Sequence, residues 1–289
     1  MEKLTAILAA VEHPDSGGAV ITKAVSLARH FDAHVELLVL QPMDRTAFVP
    51  SLALDYPHLT VRAAPRAGEP AHSVLLREVQ ERQPDLLIKA PAGSHPLRRW
   101  SLTANDWQLS QQCPVPLLLA TGKVWAKPVR FAASVDVSDA DYVEIARSVM
   151  HTAGFLALGC RGNLDVLYTE REQDDDFIRM ERTVRLAQLV RDFHVGCERL
   201  QMFEGSPDKR LPPLFAARQY DLLVLGSVSH RRSLGESLRS LTSRLAEATT
   251  GDVLLVKGES DEQRLAAAGQ ISRMTSGENQ VANKREQFV

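Results

Sequence analysis

The sequence predicts an α/β fold in which two similar halves, each with a largely parallel β-sheet, follow one another along the chain. Continuous apolar runs, typical of strands covered on both faces, alternate with segments of helical periodicity. The periodicity lapses at residues 122–128, and the same order of elements then begins again. Strands that alternate with helices favour parallel pairing with right-handed crossovers.

The first half reads as a βαβ unit followed by further strands and helices. Residues 41–59 are irregular and rich in proline, so the second crossover helix is predicted to be shortened or lost. The predicted elements are strand 4–11, helix 20–31, strand 35–40, strand 60–64, helix 70–80, strand 85–89, helix 102–111 and strand 115–120.

The second half repeats this order and adds a long helix over 174–194, on which Phe177, Met180, Val184 and Ala187 form one apolar stripe. Its other elements are strand 130–135, a helix around 143–153, strands 164–169 and 198–203, helix 214–218, strand 221–225, helix 238–248 and strand 253–256. The predicted domains are 1–122, a linker at 123–127, and 128–257, with a polar mobile tail at 258–289.

The charge and cysteine content limit the classes of function that the sequence can have. The 34 basic and 36 acidic residues leave a net charge of -2, which provides no global field to gather nucleic acid or an anionic membrane. The three cysteines lack C-x-x-C spacing, so we expect reduced, buried thiols. No apolar run reaches the length of a membrane span, and no signal-peptide cleavage site follows the first strand. We expect a cytoplasmic protein without a membrane span.

The strand ends of the second half carry a family resemblance. Asp136 ends the first strand of this half, and the fourth strand is followed by Gly226, Ser229, Arg239 and Ser240 at the spacing of a Gly-x-x-Gly, nine residues, Gly-Ser motif. In this arrangement the chain resembles the universal stress protein family. The resemblance implies a flavodoxin-like (adenine-nucleotide-alpha-hydrolase-like) fold, and a phosphate-binding loop in those members that bind ATP.

The first half carries the more specific block. Residues 103–109 (Thr-Ala-Asn-Asp-Trp-Gln-Leu), followed by Cys-Pro-Val-Pro at 113–116, resemble the tandem E type of that family, as does Lys89 at the end of the fourth strand. Glu12 stands in place of the family's aspartate, and the glycine set is lost, so no nucleotide is expected in this half. In the E type the two halves pack as a pseudo-dimer, with the last strand of each half at their interface.

The candidate ligand site therefore lies in the second half, in a degenerate motif. Its residues are Asp136, Thr169, Gly226, Val228, Ser229, Arg239 and Ser240. The resemblance implies a non-enzymatic stress-response protein that binds an unknown small molecule or a regulatory protein. No catalytic residue, metal ligand or certain cofactor is predicted; ATP is the family ligand, and the lost glycines argue against it. A nucleotide switch with weak hydrolysis or self-phosphorylation, a binder of another anionic small molecule, and further self-association stay open.

Several of these residues also have a purely structural interpretation. Asp136 could cap or turn the chain before the next helix, and Gly226 could simply allow a turn out of a buried strand. Ser16, Gly17 and Gly18 follow the first strand as in pyrophosphate-cleaving ligases, but the apolar residues that come next argue against that enzyme. His30 and His34, four residues apart on one predicted helix, are interpreted as a solvated face, not a metal pair.

Overall fold

Among the residues that the structure describes, ten strands form one continuous sheet that contains both halves of the chain. The computed structural model describes residues 1, 3–40, 56–64, 69–91, 103–170, 175–193, 197–218, 220–227, 244–245 and 251–258. The strand order is β3-β2-β1-β4-β5-β10-β9-β6-β7-β8. Residues Met1–Gly258 belong to one compact unit. The predicted bounds at 122 and 128 remain a prediction, and the predicted tail after residue 258 lies outside the described residues.

Each half supplies five strands. The first half consists of β1 (Ala6–Val11), α1 (Pro14–Phe31), β2 (His34–Val39), β3 (Leu59–Ala63), α2 (Ala71–Arg82), β4 (Leu86–Lys89), α3 (Ala104–Gln112) and β5 (Leu117–Leu119). The second half consists of β6 (Arg130–Ser134), α4 (Ala140–Gly159), β7 (Asn163–Glu170), α5 (Asp176–Asp192), β8 (Cys197–Glu204), α6 (Pro207–Arg218), β9 (Leu222–Ser227) and β10 (Asp252–Lys257). The predicted loss of a crossover helix at 41–59 concerns a segment of which 41–55 lies outside the described residues.

All strand pairs within each half are parallel, and the halves meet where β5 pairs antiparallel with β10, with Leu118 opposite Leu254. The predicted fold class, two parallel-sheet halves packed as a pseudo-dimer, is confirmed. Because the two central strands run in opposite directions, the carboxyl ends of the strands of one half lie on the opposite edge of the sheet from those of the other half.

Helices cover both faces of the sheet. One core packs under α1, α4 and α5, and the other packs under α2, α3 and α6. Across the junction, Phe31 of α1 stacks on Phe155 of α4 with ring centroids 4.9 Å apart. The packing therefore continues from one half into the other above the central strand pair.

Local geometry corrects one interpretation of the sequence and agrees with another. α1 ends at Phe31, and Asp32 adopts a left-handed conformation (φ 54°), so His34 begins β2 and does not share a helix with His30. Ser16, Gly17 and Gly18 lie within α1 and form no phosphate-binding loop. Gly205 has a φ of 113° two residues before α6 begins at Pro207, in a turn that favours glycine.

Candidate functional site

In the first half, charged side chains of the chain itself occupy the space beside the carboxyl ends of the strands. Glu12 follows β1, Lys89 ends β4, and Asp106 lies in the first turn of α3. The Lys89 ammonium Nζ lies 2.7 Å from Glu12 Oε1 and 2.6 Å from Asp106 Oδ1. The side chains of Lys89 and Asp106 are 3% and 0% exposed, so this pairing is shielded from water.

Helix capping fixes the second oxygen of Asp106. The Thr103 backbone N–H and hydroxyl donate to Asp106 Oδ2 over 3.1 and 2.8 Å, while the Asp106 N–H donates back to Thr103 Oγ1. This reciprocal capping box begins α3 with its carboxylate pointing at Lys89. The Asp-Trp block of the sequence therefore has a structural role here: Asp106 caps the helix and pairs with Lys89, and Trp107 is 7% exposed.

The electrostatics keep Lys89 charged. Burial acts to lower the pKa of Lys89, but the attraction of Asp106 and then of Glu12 outweighs it, so the pKa lies above the ordinary value. A positive charge between two carboxylates thus occupies the place where the family resemblance puts a nucleotide. An anionic ligand there would have to displace buried ion pairs.

The second half brings three of the predicted ligand residues to one edge of the sheet. Asp136 follows β6, Thr169 lies near the end of β7, and Gly226 lies near the end of β9. β6 pairs with both β7 and β9, so these three strand ends are adjacent. Asp136 and Thr169 are both partly exposed. The other four predicted residues, Val228, Ser229, Arg239 and Ser240, lie outside the described residues.

Asp136 and Gly226 each have a local structural role as well. Asp136 Oδ1 accepts a 2.8 Å hydrogen bond from the Ser138 N–H, which forms an Asx turn before α4. A Cβ atom at Gly226 would lie 2.4 Å from Ile145 Cγ2, so α4 packs where a side chain would otherwise be. The glycine is therefore explained by helix packing, whatever its role toward a ligand.

Sequence reasoning missed a buried polar network at the junction of the halves. Asp252, the first residue of β10, is fully buried, and Lys23 of α1 is 3% exposed. Asp252 Oδ1 accepts from the Thr121 N–H and hydroxyl, both at 2.7 Å, and Oδ2 accepts from Trp125 Nε1 at 2.7 Å and lies 3.0 Å from Lys23 Nζ. Lys23 Nζ also donates to the Lys123 carbonyl and lies 4.3 Å from the Trp125 ring centroid.

This network joins the first helix, the linker and the last strand. Burial lowers the pKa of Lys23 and raises that of Asp252, each against the opposite charge of its partner. The signal in the sequence is weak: one lysine within the apolar face of a helix, and one aspartate at the head of an apolar strand. Their separation of more than 200 residues hides the pairing.

At the other end of the junction, Lys257 donates from Nζ to the Gln111 carbonyl over 2.6 Å, at the carboxyl end of α3. Burial lowers the pKa of Lys257 to about 8. Ser227 donates to the Ser110 carbonyl over 3.4 Å in the same region. These residues beside the candidate site thus attach the second half to α3 of the first.

The cysteine thiols that the structure describes are buried. Burial raises the pKa of Cys113 to about 11 and that of Cys160 to about 12. Cys113 and Cys160 are free, as the sequence predicts, and the Cys197 side chain lies outside the described residues. Over the described ranges, no three His, Cys, Asp or Glu residues form a group that could hold a metal ion, and no helix has the length and apolar character needed to cross a bilayer.

Solved structures with this architecture include universal stress proteins. A putative universal stress protein from Pseudomonas aeruginosa superposes with a TM-score of 0.75 at 22% identity, over 89% of this chain and 94% of that one. The chain has the universal stress protein fold. A universal stress protein from Archaeoglobus fulgidus superposes with a TM-score of 0.68 at 12% identity, over 88% of this chain and 98% of that one.

A sequence relative supports the same resemblance. The universal stress protein E homolog of Haemophilus influenzae is 25% identical over 184 residues, which cover 57% of this chain and 59% of the relative. The match therefore spans less than two thirds of that relative's length. No protein-family model matches the chain. The resemblance to tandem E-type universal stress proteins predicted from the sequence is confirmed by this relative and by the solved structures.

Proposed function

We propose that this chain is a cytoplasmic, non-enzymatic stress-response protein that acts by binding, with one half dedicated to structure and the other to recognition. The observation that supports this division most directly is the ion cluster of Glu12, Lys89 and Asp106 at the strand ends of the first half. A site whose polar groups already satisfy one another gains little from a ligand, since binding must first break buried pairs.

The second half keeps the elements of a degenerate pocket. Asp136 presents a partly exposed carboxylate at the end of β6, next to the ends of β7 and β9. A carboxylate in this place is suited to accept hydrogen bonds from a ribose hydroxyl or an amine. Arg239 and Ser240 are proposed, from the sequence motif, to contact an anionic group. The ligand is a small molecule, or the same edge is recognised by a regulatory protein.

The non-enzymatic part of the proposal is supported by the state of the thiols. With pKa values raised to about 11 and about 12, Cys113 and Cys160 are protonated near neutral pH and do not act as nucleophiles. Two described lysines have a lowered pKa: Lys257 directs its amine to a helix carbonyl, and Lys23 pairs with Asp252.

Thermal unfolding against a panel of ligands tests the proposal. The panel contains ATP and other nucleotides, nucleotide sugars and small organic anions. A ligand present at 100 times its dissociation constant stabilises the native state by about 2.7 kcal/mol, which for a unit of this size raises Tm by about 5–10 °C. The shift should be smaller in Asp136→Asn. Asp32→Asn is the matched control, because it makes the same change at a side chain that is 94% exposed, in the first half.

The panel separates the proposal from its rivals. A shift with ATP alone, abolished by Asp136→Asn, would replace the proposal with a nucleotide switch, and labelled-phosphate release would then measure any hydrolysis. A shift with another anion supports a repurposed pocket. If no compound changes Tm, the small-molecule part is wrong, and affinity capture with the wild type and Arg239→Glu tests the protein-partner part.

A further inference from the structure

Exposed apolar side chains concentrate at one edge of the sheet. Among the described residues, seven large apolar side chains are exposed, and five of them belong to α5 or β8: Phe177, Met180, Val184, Leu200 and Met202. We call these five residues the α5 surface. Scattered single apolar side chains are normal on a protein surface, whereas a local concentration marks an interaction site.

Helix α5 is apolar on two opposite sides. Its inner side buries Leu186 and Leu189, each 1% exposed, in the core beneath the helix. On its outer side Phe177 is 73%, Met180 64% and Val184 50% exposed. These outer residues follow one another at three- and four-residue spacing, so they form a stripe along the helix axis, which Ala187 continues. Core packing accounts for the inner side and leaves the outer stripe unexplained.

The apolar side chains of β8 lie on the same face of the sheet as α5. Gln201 hydrogen-bonds Asp165, and Phe203 packs against the core on the opposite face. Alternation along a strand therefore directs Leu200 and Met202, each 41% exposed, to the face that carries α5. β8 is also the last strand in the sheet order, so the α5 surface lies beside a terminal strand.

We propose that a second copy of this chain covers the α5 surface, with the two α5 helices packed antiparallel about a two-fold axis. The order of side chains is self-complementary in that arrangement. With the axis at residue 182, Phe177 of one copy lies opposite the small Ala187 of the other, and Met180 lies opposite Val184. Large residues thus meet small ones along a contact about 15 Å long.

Charge at the ends of the helix favours the same orientation. α5 begins with Asp175 at its N-cap and Asp176 in its first turn, and its last turn carries Arg191 beside Asp192, which pairs with Arg147 of α4. An antiparallel pair brings the acidic beginning of each helix near the basic end of the other, while a parallel pair would bring like charges together. Within the chain, β5 and β10 already join two halves as antiparallel terminal strands with helices packed alongside, and β8 offers a terminal strand of the same kind.

The size of the surface predicts a weak dimer. A fully exposed aromatic side chain presents about 200 Å², so the α5 surface contributes on the order of 500 Å² of apolar area per copy. A standard stable interface buries about 800 Å² per partner. The dissociation constant should therefore be micromolar or weaker, which places the equilibrium within reach of analytical ultracentrifugation.

Sedimentation equilibrium of the full-length chain from about 5 μM to about 0.5 mM tests the proposal. The weight-average mass of the wild type should rise from 31.9 kDa toward twice that value. Val184→Glu should weaken the dissociation constant at least 10-fold, because its charge would face Met180 of the other copy. Met180→Lys/Val184→Glu should restore it to within about threefold of wild type, because each lysine then faces a glutamate of the other copy. Circular dichroism checks that both variants remain folded.

Leu158→Glu is the matched control. Leu158 is 74% exposed but lies on α4, outside the α5 surface, so its replacement should leave the dissociation constant unchanged. A wild type that stays monomeric at the highest concentration overturns the proposal. The proposal is also overturned if the Val184→Glu variant associates like the wild type, or if Leu158→Glu weakens association as much as Val184→Glu does. A double variant that fails to recover association rejects the antiparallel two-fold arrangement.

Discussion

Replacing Asp252 with asparagine should destabilise the whole protein, because this carboxylate holds the two halves together at their centre. It accepts hydrogen bonds from Thr121 and Trp125 and pairs with Lys23. Asparagine keeps the acceptor for Thr121, but its amide group would direct hydrogen atoms at two donors, Trp125 Nε1–H and the Lys23 ammonium. Lys23, 3% exposed, would then be a buried charge without the carboxylate that it contacts directly, although the charge of Asp221 still attracts it.

The expected loss is about 3 kcal/mol, at the lower end of the range of about 3–5 kcal/mol for breaking a buried ion pair. The lower end applies because Lys23 keeps its hydrogen bond to the Lys123 carbonyl and its contact with the Trp125 ring. Urea unfolding of both proteins measures the loss as a lower midpoint with an unchanged slope. Asp32→Asn, at a side chain that is 94% exposed, should stay within about 0.5 kcal/mol of wild type.

A second replacement checks the cause. If the loss comes from an uncompensated ammonium, then Lys23→Met should recover a part of it in the Asp252→Asn background while costing stability on its own. The coupling between the two sites should reach about 1–3 kcal/mol. A loss below about 1 kcal/mol for Asp252→Asn, or additive effects of the two changes, would refute the reasoning and make this network incidental to stability.

Four further changes test other contacts. Lys89→Met should cost about 3 kcal/mol in urea unfolding, since it leaves two carboxylates facing each other, and a variant as stable as wild type would contradict the cluster. In the wild type, the free energy of unfolding should rise with pH between about 8 and 10.5, by up to about 1.4 kcal/mol per pH unit. The sign follows because the amine of Lys257 releases its proton at a lower pH in the native state than in the unfolded state. Lys257→Met should remove this rise. Gly226→Ala should lower the free energy of unfolding by about 1–3 kcal/mol. The loss should be much smaller in an Ile145→Ala background, because the methyl group that the new Cβ would clash with is gone. For Asp85, burial opposes the ionised carboxylate, but hydrogen bonds from the start of β1 outweigh it and lower the pKa. Asp85→Asn should therefore cost about 1 kcal/mol at pH 7, a loss that fades in acid as the wild-type carboxylate takes up its proton.

The elements that the sequence predicts correctly are those whose signal is local. Strands such as Ala6–Val11 are nearly continuous apolar runs because helices cover both of their faces. The placement of His30 and His34 on one helix is wrong because a single left-handed residue, Asp32, ends the helix between them. Apolar periodicity does not reveal such a break.

Two other features depend on contacts that no short window contains. The stripe that begins at Phe177 has the periodicity of a core face, but Leu186 and Leu189 occupy the core in its place. Periodicity identifies an apolar side of a helix without saying what that side meets. In the same way, the pairing of Lys23 with Asp252 joins the two ends of the folded unit. Of the candidate site, the sequence predicts the meeting of Asp136, Thr169 and Gly226, because strand order places their strands side by side.

The antiparallel pairing of β5 with β10 has a consequence for how the two halves can diverge. In a symmetric dimer of identical chains, every substitution appears on both sides of the axis, so neither copy can change alone. Here positions 121 and 257 are equivalent about the central strand pair, yet one is a threonine and the other a lysine, and each meets different partners. Because both halves here belong to one covalent chain, a substitution in one half need not appear in the other.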